Sequence, residues 1–409
     1  MKYMKKLWML VALAAILAVA ALSVSGLTEG TIEAQREEHS FYALFPSLCT
    51  HEGNEEWKVT QAPVGTSNGV ASRVCALCGT ELEQEVLPAL RMNSASLSLS
   101  DSLSVKYKVK KTTLDCPAYS NPYVVFEMNN RRTVVTDYTE EGDYYVFSFA
   151  NIAPHLMNDT IEATLHLDIL GEAYAGNVQT YSVATYCYRT LTSYSADEHA
   201  ELRTLLVDLL NYGAASQTYV GYKTGELVNA NLTDAQRAWG TSEDRTLTTH
   251  KDVNYVVRED ATVSYTGVGL SLRDSIAIRF KINAQDVTGL SAKVISSIGV
   301  LNIPASQFEQ TTGGYYIYFD YLTAAQIGEA VYITIYDGET PVSNTFSYSV
   351  ESYAYSKQND ADEKLSALVL AMVRYGDAAK AYVERDVVAP ETPDGGWTEN
   401  DKEGWTNPY

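Results

Sequence analysis

The sequence is short of positive charge. It has 30 lysines and arginines against 51 aspartates and glutamates in 409 residues, which gives a formal net charge of −21. Nucleic acids and anionic lipid surfaces carry negative charge themselves, so an acidic protein surface repels both. The composition therefore predicts no nucleic-acid partner, and it suits a protein that must stay soluble outside a cell.

The sequence also lacks the common catalytic signatures. It contains no HExxH and no P-loop, and we expect no GxSxG elbow between a strand and a helix. Carboxylates are abundant, however, and the carboxylate pair of a glycoside hydrolase leaves no motif. We therefore predict a non-catalytic protein that serves ligand binding, adhesion or spacing. The alternative is a carbohydrate-active protein, either a sugar-binding module or an unrecognised glycoside hydrolase.

Only one stretch of the sequence is long and apolar, from Leu7 to Leu22. Lys2, Lys5 and Lys6 precede it and the small residues of 23–25 follow it, which is the pattern of a cleaved signal peptide over residues 1–25. An uncleaved anchor is the alternative, because the run approaches the length that spans a bilayer. The pattern predicts a secreted or cell-surface protein with no membrane insertion beyond this segment.

Cysteines are few, and three of the five lie in two short motifs, one of which also contains a histidine. Cys49-Thr50-His51 precedes Cys75-Ala76-Leu77-Cys78-Gly79. Two thiolates on a tight turn reach one metal ion, and the glycine permits the turn. We predict that Cys49, His51, Cys75 and Cys78 bind one structural zinc ion, because four protein ligands leave no open position for water. A disulfide among these cysteines is the alternative in an oxidising compartment.

This segment resembles the small Cys-x-His…Cys-x-x-Cys modules near the termini of uncharacterised secreted proteins of anaerobic Gram-positive bacteria. The resemblance covers Cys49 to about Leu90, including the closing LPAL. Those modules often carry a further cysteine in the middle loop, where this chain has Val64.

The remainder of the chain carries one pattern twice. Each copy opens with alternating apolar residues, LSLSDSLSVKYKV from Leu97 and LSLRDSIAIRFKI from Leu270, which is typical of half-buried strands. Further short alternating runs follow, with YYVFSF at Tyr144 matched to YYIYFD at Tyr315. Each copy then changes to a spacing of three and four, which predicts a helix pair with an apolar stripe. Gly213 and Gly376 interrupt the last helix at matching places, and we expect each to allow a close approach.

These patterns predict an α+β fold, mainly β. It consists of two tandem β-sandwich-like repeats, each ending in a helix pair, after a zinc-ribbon-like module. The predicted organisation is a signal peptide at 1–25, a spacer at 26–45, the ribbon at 46–90, repeat 1 at 92–220, a linker with a short helix at 221–261, repeat 2 at 262–385 and a disordered tail at 386–409. The second copy is ten residues shorter, and we place that loss in loops.

Four finer expectations concern single residues. Ser195 with Glu198, and Asp360 with Glu363, have the spacing of a capping box before the last helices. Asp101 and Asp274 occupy matching positions of the opening strands, as calcium ligands or as carboxylates turned to solvent at a strand break. Cys187 fits a small buried residue, and a disulfide between Cys116 and Cys187 remains open.

Leu97–Val383 as a whole is similar to a paired extracellular module of the same class of secreted proteins. The strings that carry this resemblance are YGAASQTYVGY and LVNANLTDAQRA in the first copy and SYSVESYAYSKQND and YGDAAKAY in the second. The resemblance implies secretion and surface display. We expect an extracellular protein or glycan of unknown identity as partner. It transfers no catalytic residue.

Overall fold

The computed structural model describes residues 41–53, 55–98, 103–194, 197–242, 245–272 and 276–385. Of these described residues, 40% lie in strands and 27% in helices, so the predicted α+β class, mainly β, is confirmed. The apolar run Leu7–Leu22 and the tail at 386–409 lie outside the described ranges. Within those ranges, no helix is both long enough and apolar enough to cross a bilayer.

The elements follow the order predicted from the two copies. The strands are β1 Glu55–Gln61, β2 Gly69–Cys75, β3 Glu81–Leu87, β4 Ser94–Ser98, β5 Ser104–Lys110, β6 Tyr119–Met128, β7 Arg131–Val135, β8 Thr139–Glu141, β9 Tyr144–Phe149, β10 Ile161–Ile169, β11 Glu172–Ala175, β12 Gln179–Tyr181, β13 Asp252–Val256, β14 Ser264–Leu272, β15 Ile276–Asn283, β16 Leu290–Ser296, β17 Gly299–Pro304, β18 Glu309–Thr311, β19 Gly314–Phe319, β20 Val331–Asp337, β21 Thr340–Pro341 and β22 Thr345–Tyr348. The helices are α1 Lys111–Leu114, α2 Val183–Ser193, α3 Ala200–Val220, α4 Asp234–Arg237, α5 Val350–Lys357 and α6 Glu363–Glu384.

The two copies have the same sheet topology. In the first copy one sheet has the order β4-β5-β9-β8, and the other has the order β11-β10-β6-β7 with β12 paired to β10. In the second copy the orders are β14-β15-β19-β18 and β22-β20-β16-β17 with β21 paired to β20. The one addition is β13, a linker strand that pairs with β22. The shared order is what duplication of one module produces.

Each copy is a sandwich because aromatic side chains of its two sheets pack against each other between the sheets. In the first copy Phe126 on β6 lies 5.3 Å from Tyr107 on β5 and 5.2 Å from Phe149 on β9, between ring centroids. In the second copy Phe280 on β15 lies 5.6 Å from Phe346 on β22. Strand alternation sends every second side chain into this core. Tyr107, Phe126 and Phe280 are fully buried as a result.

Strand register corrects one detail of the sequence matching. The hairpin β8–β9 pairs Glu140 with Tyr145, and the hairpin β18–β19 pairs Gln310 with Tyr315. The equivalent of Tyr315 is therefore Tyr145, and the match with Tyr144 was one residue off. The two neighbouring tyrosines of each copy made both alignments plausible, whereas a shift of one residue exchanges the two faces of the strand.

The helix pairs begin with equivalent caps. The hydroxyl of Ser182 accepts a hydrogen bond from the Thr185 N–H at 3.0 Å, and Ser349 does the same with Ser352 at 3.0 Å. Of the predicted caps of the longer helices, that of α6 was wrong and that of α3 stays a prediction. Helix α3 begins after His199 with no side-chain cap, and Ser195 lies outside the described residues. Helix α6 is capped by Asp362, because its side chain, and not that of Asp360, accepts from the first turn.

Helices α3 and α6 pack against each other, so the two copies share a core. The rings of Tyr212 and Tyr375 stack with centroids 5.7 Å apart and planes 13° from parallel. A Cβ on Gly213 would lie 2.8 Å from Met157 Sδ, and a Cβ on Gly376 would lie 2.9 Å from Ile327 Cβ. The predicted close approach at both glycines is confirmed. Burial of α3 extends all round the helix at Leu205–Leu210, which is wider than the predicted stripe.

The chain divides into two compact units. One contains the described residues up to Arg91 together with Lys110–Tyr123 and Leu165–Asn177, and the other contains Met92–Val109, Val124–Thr164 and the chain from Val178. Strands β6 and β10 run through both units. The first unit therefore joins the ribbon to parts of the first copy. The predicted boundary at residue 90 remains a prediction.

One hydrophobic core explains why these separate segments form a single unit. Its core consists of Ala71, Leu87 and Leu90 from the ribbon segment and Tyr119, Leu167 and Ile169 from β6 and β10. The Tyr119 hydroxyl donates to Pro88 O at 2.5 Å. Strands β6 and β10 have ten and nine residues, whereas β16 and β20 each have seven. Part of the extra length of the first copy therefore lies in strands, which corrects the prediction that it lies in loops.

Candidate metal centre

Strand pairing brings the two predicted ligand pairs together. Cys75 ends β2, and its antiparallel partner is Glu55, the first residue of β1. The chain just before β1 therefore lies beside the turn that follows β2. Cys49 and His51 come from the former segment, and Cys78 comes from the latter. A contact between residues 26 positions apart follows directly from the hairpin register.

The four side chains form a compact group. Their ligand atoms all lie within 4.8 Å of one another. Cys49 Sγ is 3.6 Å from Cys75 Sγ, and Cys78 Sγ is 3.3 Å from His51 Nδ1. Tetrahedral zinc, with Zn–S near 2.3 Å and Zn–N near 2.0–2.1 Å, separates two sulfurs by about 3.8 Å and a sulfur from a nitrogen by about 3.5 Å. The cluster therefore has the size of a tetrahedral metal site.

The turn between β2 and β3 has the backbone that such a site needs. The Gly79 N–H donates to Cys75 O at 2.8 Å, and the Cys75 N–H donates to Thr80 O at 3.0 Å. Gly79 has φ +73°, a left-handed conformation in which a side chain is strained. Cys-x-x-Cys-Gly thus folds as a knuckle with both sulfurs on one side.

Burial and hydrogen bonding set different thiol acidities. Cys75 is buried, which disfavours its thiolate, but hydrogen bonds from His51 and from the Cys78 and Leu77 N–H groups outweigh burial and lower its pKa to about 6. Burial and the neighbouring thiols raise the pKa of Cys49. A bound dication favours the thiolate form of its cysteine ligands.

The other predicted site residues lie apart from this cluster. Asp101 and Asp274 lie outside the described residues, so the calcium prediction stays a prediction. Cys116 and Cys187 are free thiols, and no disulfide joins any of the five cysteines. Cys187 is fully buried on α2, where burial raises its pKa, so the disulfide left open by the sequence is not formed. Across the described ranges, the cluster at Cys49 is the one group with metal-holding geometry.

One string with the spacing of a nucleophile elbow was missed in the sequence. Gly65-Thr66-Ser67-Asn68-Gly69 reads GxSxG. It connects β1 to β2, and the Ser67 N–H donates to Val64 O at 2.9 Å within this hairpin turn. A nucleophile elbow needs a strand before the serine and a helix after it. The segment is therefore a β-turn and not an elbow.

The comparisons with known proteins identify no family. No family model matches the chain, and no curated protein matches it. Among solved structures, a bromine derivative of BhCBM56 is 14% identical and covers 22% of this chain and 99% of its own, with a TM-score of 0.16. The FN1-FN3 domains of chicken CNTN1 are 6% identical; the match covers 70% of this chain and 78% of that one, with a TM-score of 0.17. A chimeric titin Z1Z2 tandem is 10% identical; the match covers 62% of this chain and 96% of that one, with a TM-score of 0.14. With TM-scores this low, these likenesses carry no argument about function.

Proposed function

We propose that this protein is a non-catalytic binding or adhesion protein of the cell exterior, with a structural zinc ion in its ribbon. The observation that carries the proposal is the kind of residue that the two copies share. Ser182 and Ser349 cap helices, and Gly213 and Gly376 allow close packing. A catalytic centre inherited by both copies would instead share polar side chains at one exposed place. The shared residues build the core, which leaves function to surfaces that differ.

The buried carboxylates support the same proposal because each is engaged in holding a connecting segment. Asp159 accepts from Lys223 and Tyr222, Asp208 accepts from Thr241, and Glu351 accepts from Arg245 and Thr248. These partners lie on the segments that follow α3. Their role is therefore structural.

Zinc is the metal that the donor set favours. Three sulfurs and one imidazole nitrogen in a closed tetrahedron suit zinc, whereas calcium and magnesium take oxygen ligands. Cobalt substitution tests this point, since the absorption of cobalt reports the number of bound thiolates. We expect one metal per chain with three thiolate ligands. His51→Cys should retain the metal, His51→Ala should weaken its binding, and Cys116→Ser should leave it unchanged.

A binding screen combined with a turnover screen tests the functional proposal. The full chain is applied to immobilised glycans and extracellular proteins, and the same preparation is tested on a broad set of hydrolase substrates. We expect binding without turnover. Turnover that is abolished by Asp101→Ala or Asp274→Ala would overturn the proposal, because it would place a catalytic residue in the opening strands.

A further inference from the structure

One outward sheet face of the second copy, exposed at Gly267 and otherwise half-buried, is chemically unlike its counterpart. Strand β15 turns Ile278, Phe280 and Ile282 into the core, so Arg279 and Lys281 point outward. Their cross-strand neighbours on β19 and on β14 point the same way. We call this set the tyrosine face: Gly267, Gly269, Arg279, Lys281, Tyr316 and Tyr318.

The cations of the tyrosine face lie against aromatic rings. The Arg279 guanidinium carbon is 4.5 Å from the centre of the Tyr316 ring, and Lys281 Nζ is 5.7 Å from it. Lys281 also donates to Thr312 O at 2.9 Å. Burial raises the pKa of Tyr318, and so does its hydrogen bond with Glu309 on the neighbouring strand, whereas Arg279 opposes the shift. Among the described residues, no carboxylate forms an ion pair with Arg279 or Lys281.

The same positions in the first copy are neutralised. Lys106 and Lys108 replace Arg279 and Lys281, and both ammonium groups lie 2.8 Å from Glu141. Hydrogen bonds from these two lysines lower the pKa of Glu141 to about 2. Strand register places Val146 and Ser148 where the second copy has its tyrosines, and Thr311 where the first has Glu141. Glu309 lies on this face where the first copy has Thr139, so each face carries two cations and one carboxylate. The copies differ in aromatic surface and in pairing, because Glu141 pairs with both lysines whereas Glu309 hydrogen-bonds to Tyr318.

The two glycines leave an open strip beside the cations. Gly267 is paired with Lys281 and Gly269 with Arg279. A Cβ on Gly267 would meet nothing closer than Lys281 Cβ at 3.7 Å, and one on Gly269 would meet nothing closer than Arg279 Nη2 at 4.0 Å. Neither glycine has a left-handed backbone. Packing and backbone conformation therefore tolerate a side chain here, and its absence keeps the strip free for a ligand that lies flat.

We propose that the tyrosine face binds a carboxylate-bearing polysaccharide, that is, a chain of uronic acid units. A pyranose ring presents a C–H face that packs on a tyrosine ring, which combines apolar area with a polar tip. Its carboxylate pairs with the guanidinium of Arg279 and with Lys281. The polysaccharide lies across the strip beside Gly267 and Gly269. This inference rests on the proposed function, since it takes the protein to bind its ligand without converting it.

Charge decides between an acidic and a neutral glycan. The protein carries a net charge of −21, so an anionic polymer is repelled except where positive charge is concentrated and not neutralised. Calorimetry of the full chain with polygalacturonate oligomers, against the same oligomers methyl-esterified, measures the contribution of the carboxylates. We expect the ester to bind at least tenfold more weakly and added salt to weaken binding of the acid form. Equal affinity for the two forms, or no binding of the acid form, overturns the inference.

Single substitutions place the site on this face. Tyr316→Ala and Arg279→Gln remove a ring and a charge, and Gly269→Thr fills the strip with a residue that strands favour. We expect each to weaken binding at least tenfold while thermal unfolding shows that the chain remains folded. Lys106→Gln, the matched change in the first copy, should leave affinity unchanged. Equal losses for Lys106→Gln and Arg279→Gln would overturn the site.

The two proposals fail in different ways. If another glycan or a protein binds and the tyrosine-face variants bind it normally, this inference is wrong and the proposed function stands. If the oligomers are cleaved by the wild-type protein, the proposed function is wrong as well, and cleavage is read from product analysis and not from affinity.

Discussion

The first copy has two strands that are longer at one end, whereas the second copy has an additional strand at one edge of a sheet. Residues 119–123 of β6 and 165–169 of β10 belong to the compact unit of the ribbon. The second copy has shorter strands here, and its sheet gains β13 from the linker instead. Duplication preserved the sandwich core and the helix caps in both copies. The differences lie where each copy contacts its own neighbouring segment.

A second difference concerns a buried charge. Glu351 stands in the first turn of α5, where the first copy has Ala184 in α2, and it is nearly fully buried. Arg245 from the linker binds it at 2.6 Å and also binds Asp377 on α6. A buried carboxylate needs such a partner. The second copy is thus bound to the linker by an ion pair at this helix position, whereas the first copy is bound to it through Asp159 and Lys223.

Loss of the metal should produce the largest difference in stability between the first unit and the second copy. The ribbon has a small core, and metal binding contributes directly to the folding of small metal domains. We expect His51→Ala or chelation to destabilise the first unit by about 3 kcal/mol or more. Hydrogen exchange should accelerate at 69–75, 119–123 and 165–169, and stay unchanged in β15 and β20.

His51→Cys provides the control, because it offers a fourth thiolate. Exchange rates in that variant should match the wild type once metal is bound. Uniform acceleration in both copies on chelation would contradict the separation, since it would make the metal a determinant of the whole fold.

Substitutions of the glycines in α3 and α6 test whether the cores of the two copies are packed equally tightly at these positions. Gly213→Val and Gly376→Val place methyl groups against Met157 and Ile327 and against the backbone carbonyl oxygens of Pro154 and Ala324. Overpacking outweighs the gain in helix propensity, and each change should lower the free energy of unfolding by about 3 kcal/mol. Chemical denaturation measures both. A large loss at one glycine and none at the other would break the equivalence, and Gly225→Ala, where a Cβ meets nothing, is the control.

Secondary structure and burial could be predicted from the sequence, because the spacing of apolar residues depends on them directly. Alternation in LSLRDSIAIRFKI predicts a sheet with one buried face, and the spacing of Leu205, Leu209 and Tyr212 predicts a packed helix. The stacking of Tyr212 on Tyr375 could not be predicted, because an apolar stripe does not say which surface covers it. The cap of α6 was misplaced by two residues because Asp360 and Asp362 are equally good caps in isolation.

The metal site could be predicted because its four ligands lie in two short motifs of fixed spacing. The tyrosine face could not, because Arg279 and Tyr316 are 37 positions apart and meet only through strand register. Its one sequence signal was a difference between the copies, Gly267 and Gly269 against Ser94 and Ser96. That difference has meaning only once the register shows that all four residues pair with outward cations.

Arg245 should matter to the second copy alone. Arg245→Met leaves the Glu351 carboxylate buried without its cation, and we expect a loss of about 2 kcal/mol in the free energy of unfolding. Adding Glu351→Ala reproduces the residue of the first copy and should recover most of this loss, as a double-mutant cycle measures. Equal stability of Arg245→Met and the double variant would mean that Glu351 does not depend on Arg245.

The smallest expected effect is a pH dependence confined to the first copy. The pKa of Glu141, about 2 in the folded chain, lies below its ordinary value because Lys106 and Lys108 bind the ionised form. Its stabilisation is therefore complete above about pH 4.5 and is lost as pH falls towards 2. The three side chains are about one third exposed, so solvent screens the pairs and the stability change should stay below about 1 kcal/mol. Carboxyl NMR titration should find the low pKa in the wild type and an ordinary value in Lys106→Gln/Lys108→Gln. The second copy has Thr311 at this position, so no carboxylate there titrates against Arg279 and Lys281. A Glu141 that titrates normally in the wild type would contradict its pairing with Lys106 and Lys108, and with it the difference in pairing between the two faces.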